Sequence, residues 1–263
     1  MRRGLRSLVL IVALGAVLRP LGAGALPRRV QLPSRFQTAT TQELEKQGDE
    51  LRLQKVYAEA IEHYRAALTK PNTKPGAAVL HNKIGIALLQ LGAYKDADKS
   101  FKRAVKLDHV YAEAYNNLGA AYYLQRKYGK AIKEYVRALR LREQDATFHN
   151  NLGTALFMQR KFPEAQQEFM RALELNPNVF DTTSSTGVAA QLSTSEDRAQ
   201  FNYLLARMYA QIGDFDRSIH HLRKAMEEGY PQINNVYKDT EFAGLRKDPR
   251  FTALMATPPA AVQ

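Results

Sequence analysis

The sequence nearly repeats itself at an interval of 34 residues. Residues 115–122 read YNNLGAAY, and residues 149–156 read HNNLGTAL. Gly85 precedes Gly119 at the same interval that separates Gly119 from Gly153. A fixed period of this length indicates a chain built from one small unit stacked on copies of itself, because a single unit cannot bury its apolar face alone.

Other positions keep the same register. Two further small residues, Gly48 and Ala206, extend the series at intervals of 37 and 53 residues. A large apolar residue follows each small residue by three positions, a second small residue follows by twelve, and another large residue follows by sixteen. In the third unit these residues are Tyr122, Ala131 and Tyr135. The apolar spacing within each half of the unit is that of an amphipathic helix.

This pattern resembles the tetratricopeptide repeat, a unit of two antiparallel helices that we call A and B. The resemblance covers about residues 41–229 and implies an all-α fold, a right-handed α-α superhelix or solenoid of about five repeats. Within each unit we expect the small residues, such as Gly119 and Ala131, to face each other where helix A crosses helix B. The predicted repeats are 41–74, 78–111, 112–145, 146–179 and 199–229.

Two segments depart from the repeat. Residues 180–198 are an insertion rich in Ser and Thr, either a flexible surface loop or an ordered arm with a short hairpin through 188–192. Residues 230–255 are predicted to be capping helices, because a solenoid needs a cover for its last apolar face. Asp248 and the proline after it mark the start of one of them. Residues 256–263 are expected to be a disordered tail.

The N-terminal part has the composition of a targeting segment. Residues 1–42 contain seven Arg and no Asp or Glu, and an apolar stretch spans residues 8–18. We expect 1–25 to be a signal peptide and 26–40 a disordered linker, so that the protein is exported to the periplasm or secreted. The alternatives are an uncleaved segment that tethers the chain to the membrane and a mitochondrial presequence. The C-terminal segment after the repeats also resembles that of bacterial secreted tetratricopeptide-repeat proteins.

No catalytic pattern is found in the sequence. The chain has no Cys, no phosphate-binding glycine loop and no nucleophile motif, and its six His residues show no metal-binding spacing. We therefore predict that it is not an enzyme and that it uses no cofactor and no metal. The alternative that each His merely packs or faces solvent is preferred for all six.

The predicted function is binding of a protein partner. The family resemblance implies that the A helices line a concave groove for an extended peptide or a partner helix, and that Asn rows lie on it, as in the superhelix of O-linked N-acetylglucosamine transferase. An Asn side chain pairs with either end of a peptide amide, although the Asn residues could also be purely structural. The predicted groove residues are Asn82, Asn116, Asn117, Asn150, Asn151, Tyr123, Phe157, Tyr203 and Arg207.

An alternative function uses the outer, convex face. The net charge of the chain is +12, and helix B of the third repeat is strongly basic. This face would bind a polyanion or an anionic membrane surface, or it is simply solvated. No specific nucleic acid is expected, and the oligomeric state is left open. The predicted basic residues are Arg126, Lys127, Lys130, Lys133, Arg137 and Arg140.

Overall fold

The structure is a computed structural model that describes residues 36–180 and 194–260. Within these ranges the chain forms eleven α-helices and no strand. The predicted signal peptide and the predicted hairpin at 188–192 lie outside the described residues. The helices are α1 (Thr41–Leu53), α2 (Tyr57–Leu68), α3 (Lys74–Gln90), α4 (Tyr94–Leu107), α5 (Ala112–Leu124), α6 (Tyr128–Leu141), α7 (Ala146–Met158), α8 (Phe162–Leu175), α9 (Ser195–Gln211), α10 (Phe215–Glu227) and α11 (Pro249–Ala256).

The first ten helices form five consecutive hairpins. Helices α1, α3, α5, α7 and α9 are the A helices, and each packs against the B helix that follows it. In the first four repeats each B helix also packs against the next A helix. This arrangement confirms the predicted all-α solenoid, in which stacking of neighbours, rather than any single hairpin, makes the core.

The close approach at the helix crossing of each of the first four repeats is between a glycine and an aromatic ring. A Cβ atom on Gly119 would lie 2.6 Å from the ring of Tyr135, which is fully buried. The glycine therefore lies against the large residue sixteen positions later, whose ring fills the space over the glycine backbone. The small residue twelve positions later also reaches the crossing in other repeats: a Cβ atom on Gly153 would lie 3.2 Å from the backbone oxygen of Ala165, and the Ser218 hydroxyl donates to the backbone oxygen of Ala206.

The same pairing recurs along the array with one compensated exchange. Gly48 meets Tyr64, Gly85 meets Phe101, and Gly153 meets Phe169. The fifth repeat has Ala206 at the small position and Leu222, also fully buried, sixteen residues later. In this repeat the small position carries a Cβ atom, and the residue opposite it has no aromatic ring. The crossing therefore stays filled without overlap.

The turns between helices A and B require a left-handed backbone. Gly92 and Gly213 occupy this position in the second and fifth repeats, with φ of 72° and 81°. In the other three repeats the same position holds Lys55, Arg126 and Arg160, with φ of 63°, 58° and 61°. Each of these basic residues bears a steric cost of about 1 kcal/mol that glycine avoids.

The segment before α1 is packed against the first repeat. The side chain of Phe36 is buried, and its ring lies edge-on to His63 at 4.8 Å. Lys70 donates a hydrogen bond to the backbone oxygen of Gln37. The prediction that the linker is disordered as far as residue 40 was therefore wrong at its end, because a buried aromatic ring anchors residues 36–40 to α2.

The fifth hairpin packs against the fourth in the opposite orientation to that of the earlier hairpins. In the third repeat, Gln125 at the end of helix A hydrogen-bonds to Asp98, near the start of the preceding B helix. In the fifth repeat it is the start of α9 that lies beside the end of α7, since Asp197 pairs with Arg160 at 3.0 Å. The start of α10 likewise lies beside the end of α8, where Arg217 bonds to the backbone oxygen of Pro177.

The inserted segment gives the chain the length for this reversed orientation. Residues 181–193 separate Phe180 from the capping residue of α9, Thr194, and thirteen residues reach about 43 Å when extended. A fourteen-residue helix such as α8 is about 21 Å long. Helix α9 begins at Ser195, four residues before the predicted start of the fifth repeat.

The C-terminal segment covers the fifth hairpin. Three short 3-10 turns, Ile233–Tyr237, Thr240–Ala243 and Leu245–Lys247, precede α11. Asp248 caps α11 by accepting a hydrogen bond from the backbone N–H of Arg250, as the sequence predicts. The cap buries the side chains of Val236, Phe242, Leu245, Phe251 and Leu254 in a second apolar core shared with α9 and α10.

The helix crossing can be tested by adding one methyl group. Gly119→Ala is expected to lower the free energy of unfolding by about 1–3 kcal/mol, because the new Cβ overlaps the Tyr135 ring. Combining it with Tyr135→Leu, which copies the pairing of the fifth repeat, should cost less than the sum of the two single changes. Urea unfolding measures all three. Gly129→Ala, at an exposed helical position, is the control and should not destabilise.

Two tyrosines at equivalent crossings are expected to respond oppositely to loss of the hydroxyl. The hydroxyl of Tyr64 donates to Asp49 at 2.8 Å, whereas the buried hydroxyl of Tyr135 has no hydrogen-bond partner among the described residues. Tyr64→Phe should lower the free energy of unfolding by about 1 kcal/mol, and Tyr135→Phe should raise it by a similar amount. Equal effects of the two changes in urea unfolding would contradict this assignment.

The pH dependence of stability should include a contribution from His221. Burial, together with the positive groups of His220 and Lys224, lowers the pKa of His221 from 6.5 to about 3. The unfolded chain therefore takes up this proton first, and stability should fall below about pH 6.5 by up to about 1.4 kcal/mol per pH unit. His221→Phe should flatten the stability profile between pH 6.5 and 5. Equal slopes for both proteins would exclude this contribution.

Candidate functional site

Successive A helices are joined by polar side chains at two fixed positions. One position lies three residues before the small residue of its repeat. Its side chain bonds to a side chain of the next repeat, which lies two residues before the small residue there. Asn117 Nδ2 donates to Asn82 Oδ1 at 2.9 Å, and Asn151 Nδ2 donates to Asn116 Oδ1 at 2.9 Å. The paired Asn residues that the sequence repeats are therefore brought together across the repeat boundaries.

These amides form one hydrogen-bonded chain, which we call the amide ladder (Asn82, Asn116, Asn117 and Asn151). Asn82 also donates to the Tyr111 hydroxyl at 3.1 Å, and Asn116 donates to Asn117 at 3.5 Å. Asn82, Asn116 and Asn151 are buried, so their amides need these partners to offset the loss of water. The structure thus gives the ladder a role in holding repeats two to four in register.

Asn150 is placed differently from the ladder. It stands three residues before Gly153, the position that pairs with the next repeat at the earlier boundaries, but the fifth hairpin that follows is reversed in orientation. The Asn150 side chain is half-buried and forms no hydrogen bond with any described residue. Its backbone oxygen accepts a bond from Thr154 at 2.8 Å, which fixes the turn of helix beneath it. A donor and an acceptor consequently remain available on this face.

The first two repeats are joined by charges at the equivalent positions. Lys83 Nζ lies 2.6 Å from both Glu45 and Asp49. Burial lowers the pKa of Lys83, but its hydrogen bonds with the two carboxylates outweigh this and raise the pKa above its ordinary value. Sequence reasoning missed this cluster, although Glu45 and Lys83 occupy the same repeat positions as the paired Asn residues and could have been found there; Asp49 stands one residue after Gly48.

The predicted groove aromatics are not accessible. Tyr123 is buried beside Tyr128, and its burial raises the pKa of its hydroxyl well above the ordinary value. Phe157 is 1% exposed and packs against Phe162 and Phe201, at ring distances of 5.2 and 5.6 Å. The prediction that both line the groove was wrong, because side chains four residues after the glycine are packed in the core.

The predicted groove residues of the fifth repeat are covered by the C-terminal segment. The Tyr203 hydroxyl donates to Asp239 at 2.8 Å, and its ring stacks on Tyr230 at 4.3 Å. Arg207 pairs with Glu241 and, at 3.5 Å, with Asp239. The expectation that Tyr203 and Arg207 continue an open groove was wrong, since the residues after the last repeat occupy the place of a further A helix.

The six residues of the predicted basic face are all exposed. Two of them lie in the turn before α6, and the other four lie on the outer side of that helix. Arg137 pairs with Glu134 at 2.9 Å, and Lys127 bonds to the side chain of Gln125. The others form no ion pair with any described residue. Their positions are those of a solvent-facing cationic surface on helix B.

Two further properties of the described residues bear on function. No three or more His, Asp or Glu side chains in 36–180 and 194–260 are grouped as metal ligands. None of the helices in these ranges combines the length and the apolar character needed to cross a bilayer.

Among the solved structures that match this chain, one of MamA, with a TM-score of 0.50, shows the same fold. Two crystal structures of MamA, each 22% identical to this chain, match with TM-scores of 0.50 and 0.49. They cover 76% and 71% of this chain and 95% and 96% of their own. The first TPR of Spaghetti (RPAP3) bound to the HSP90 peptide SRMEEVD matches 44% of this chain and 95% of its own, at 22% identity and a TM-score of 0.40. No curated protein matches the sequence.

Family models match the same hairpins that the structure stacks. TPR-repeat models match residues 85–126 and 121–160, and tetratricopeptide-repeat models match 146–179 and 199–228. Those segments include nearly all of the third, fourth and fifth hairpins and the part of the second that begins at Gly85. Residues 85–179 and 199–228 are therefore tetratricopeptide repeats, and the chain is a tetratricopeptide-repeat protein over these segments.

Proposed function

We propose that this protein is a non-enzymatic scaffold that binds a protein partner, as an extended peptide or a helix, on the concave face of its A helices. The observation that carries the proposal is the side-chain amide of Asn150, which has no hydrogen-bond partner among the described residues and stands next to the amide ladder, whose members bond to one another. Tetratricopeptide repeats support a role in protein–protein interaction, and the concave face of repeats two to four is the part of this array that the C-terminal segment leaves uncovered.

The chemistry of Asn150 suits a peptide backbone. A carboxamide offers two N–H donors and one oxygen acceptor, so it pairs with both groups of a peptide unit whatever the ligand side chain. The residue is carried by a helix whose position the ladder sets through Asn151 and Asn116. A site held in place before binding loses little conformational freedom when the partner arrives, which favours affinity.

Neighbouring positions favour a ligand with small apolar side chains. Ile86 and Ala120, each one residue after the repeat glycine, are half-buried and leave a shallow apolar floor. Beyond them the cluster of Lys83 with Glu45 and Asp49 contributes two negative charges and one positive. We propose a largely uncharged segment over repeats two to four, with any basic residue directed toward the first repeat.

The setting of this function is proposed from the N-terminal sequence. The Arg-rich start and the apolar stretch at residues 8–18 support export of the chain. The partner would then be a protein of the same compartment, the periplasm or the cell exterior. An uncleaved N-terminal segment would hold the same groove at a membrane instead.

Cross-linking capture from a cell extract tests the groove. A variant with Asn150→Ala and Ala120→Arg removes the free amide and blocks the apolar floor without touching the ladder. At least one protein captured by the parent is expected to be lost by this variant, as measured by quantitative mass spectrometry. The proposal would be abandoned if the groove variant captured the same set of proteins as the parent.

A matched control separates the groove from general effects on the surface. Gln167→Ala with Ala58→Arg makes the same chemical changes at exposed positions of two B helices, α8 and α2. This control should keep the captured proteins. Asn116→Ala, in contrast, should lower the free energy of unfolding by about 1–3 kcal/mol, because it leaves the buried Asn151 amide without its acceptor.

A further inference from the structure

Cations on the outer helices of the second and third repeats occupy equivalent positions. Each of three residues on α4 has a counterpart 34 residues later on α6, and all six are exposed. We call these residues the cation array. Its pairs are Lys99 with Lys133, Arg103 with Arg137, and Lys106 with Arg140.

Most of the array is not neutralised by the protein itself. Lys99 pairs with Asp96 at 2.8 Å and Arg137 with Glu134 at 2.9 Å. The other four members of the array form no ion pair with any described residue. An exposed row of uncompensated cations produces a positive potential that attracts anions in a salt-dependent manner.

The array continues to the edge of the molecule where α6 begins. Arg126 stands there in the left-handed conformation, with φ of 58°, where glycine would be less strained. Lys130 of α6 and Lys102 of α4 both lie over the ring of Tyr122, at 5.8 and 5.4 Å, and Lys102 also pairs with Asp98 at 3.0 Å. These cation–π contacts draw the charges of two separate helices toward one point of the surface.

At the opposite edge, exposed apolar side chains accompany the cations. Val110 follows the end of α4 and is 74% exposed, and Leu141 ends α6 and is 42% exposed. Lys106 and Arg140 lie in the last turns of the same two helices. Proteins bind to the surface of a bilayer through cations that contact the lipid headgroups together with adjacent apolar side chains that enter the interface.

We propose that the cation array docks this protein onto a membrane surface rich in anionic phospholipid. Phosphate headgroups would contact the Lys and Arg side chains, and Val110 and Leu141 would enter the interface. A single-stranded nucleic acid fits the face less well, because bases stack on exposed aromatic rings. The rings beneath the array, Phe101, Tyr122 and Tyr135, are buried. This surface is separate from the groove and does not depend on the proposed function.

Co-sedimentation of the full chain with vesicles tests the proposal. The vesicles contain 30% phosphatidylglycerol in phosphatidylcholine, and pure phosphatidylcholine serves as the neutral reference. The parent should bind the anionic vesicles more tightly and lose this preference as salt rises. Replacing Arg103, Lys133 and Arg140 by Gln should weaken binding to anionic vesicles at least about tenfold. Val110→Ser with Leu141→Ser should weaken it further, and circular dichroism checks that each variant is folded.

The control removes the same charge elsewhere. Replacing Arg223, Lys224 and Lys238 by Gln takes three exposed cations from the fifth repeat and the cap, and it should change anionic-vesicle affinity less than twofold. Equal weakening by both triple variants would overturn the proposal, because net charge alone would then explain binding. It would also be overturned if the array variant lost binding to a single-stranded RNA while keeping the parent affinity for anionic vesicles.

Discussion

The contact between a glycine backbone and an aromatic ring, present at four of the five helix crossings, is the constraint on which the array depends. With no Cβ atom at Gly119, the ring of Tyr135 lies against helix A, and the two helices of the repeat approach closely. That approach sets the angle of each hairpin, and the angle determines which side chains reach the next hairpin. The exchange in the fifth repeat, where Ala206 coincides with Leu222, indicates that the volume of the crossing is what matters rather than any one residue.

The amide ladder follows from this geometry. Once the hairpins are set at a common angle, positions three and two residues before the small residue meet across every regular boundary. Their chemistry changes along the array, from the charges around Lys83 to the pairs that join Asn82 with Asn117 and Asn116 with Asn151. The repeated Asn-Asn pairs are therefore explained in the first place by their role in the fold, because they join successive repeats. Asn150, the residue proposed to bind a partner, forms no side-chain hydrogen bond with any described residue.

The sequence predicts most of the architecture and less of the site. Spacing of small and large residues is a local property, so the helices, their pairing and the start of α11 at Asp248 could be predicted. The burial of Phe157 could not, because it depends on Phe201, which arrives from beyond the insertion. The reversed orientation of the fifth hairpin was hidden for the same reason. The pairing of Lys83 with two acids could not be predicted, because it depends on the angle between repeats, and the periodicity of the sequence does not give that angle.

Helix α9 belongs to the two largest apolar cores among the described residues. Phe201 and Met208 pack with the first four repeats, whereas Tyr203 and Ala206 pack with α10 and the C-terminal cap. In an array whose parts contact only their neighbours, cooperativity passes through each shared element in turn. Any event that loosens or tightens repeats two to four is therefore transmitted to the C-terminal cap by way of α9. The opposite faces of one helix thus decide whether the chain behaves thermodynamically as one unit or as two.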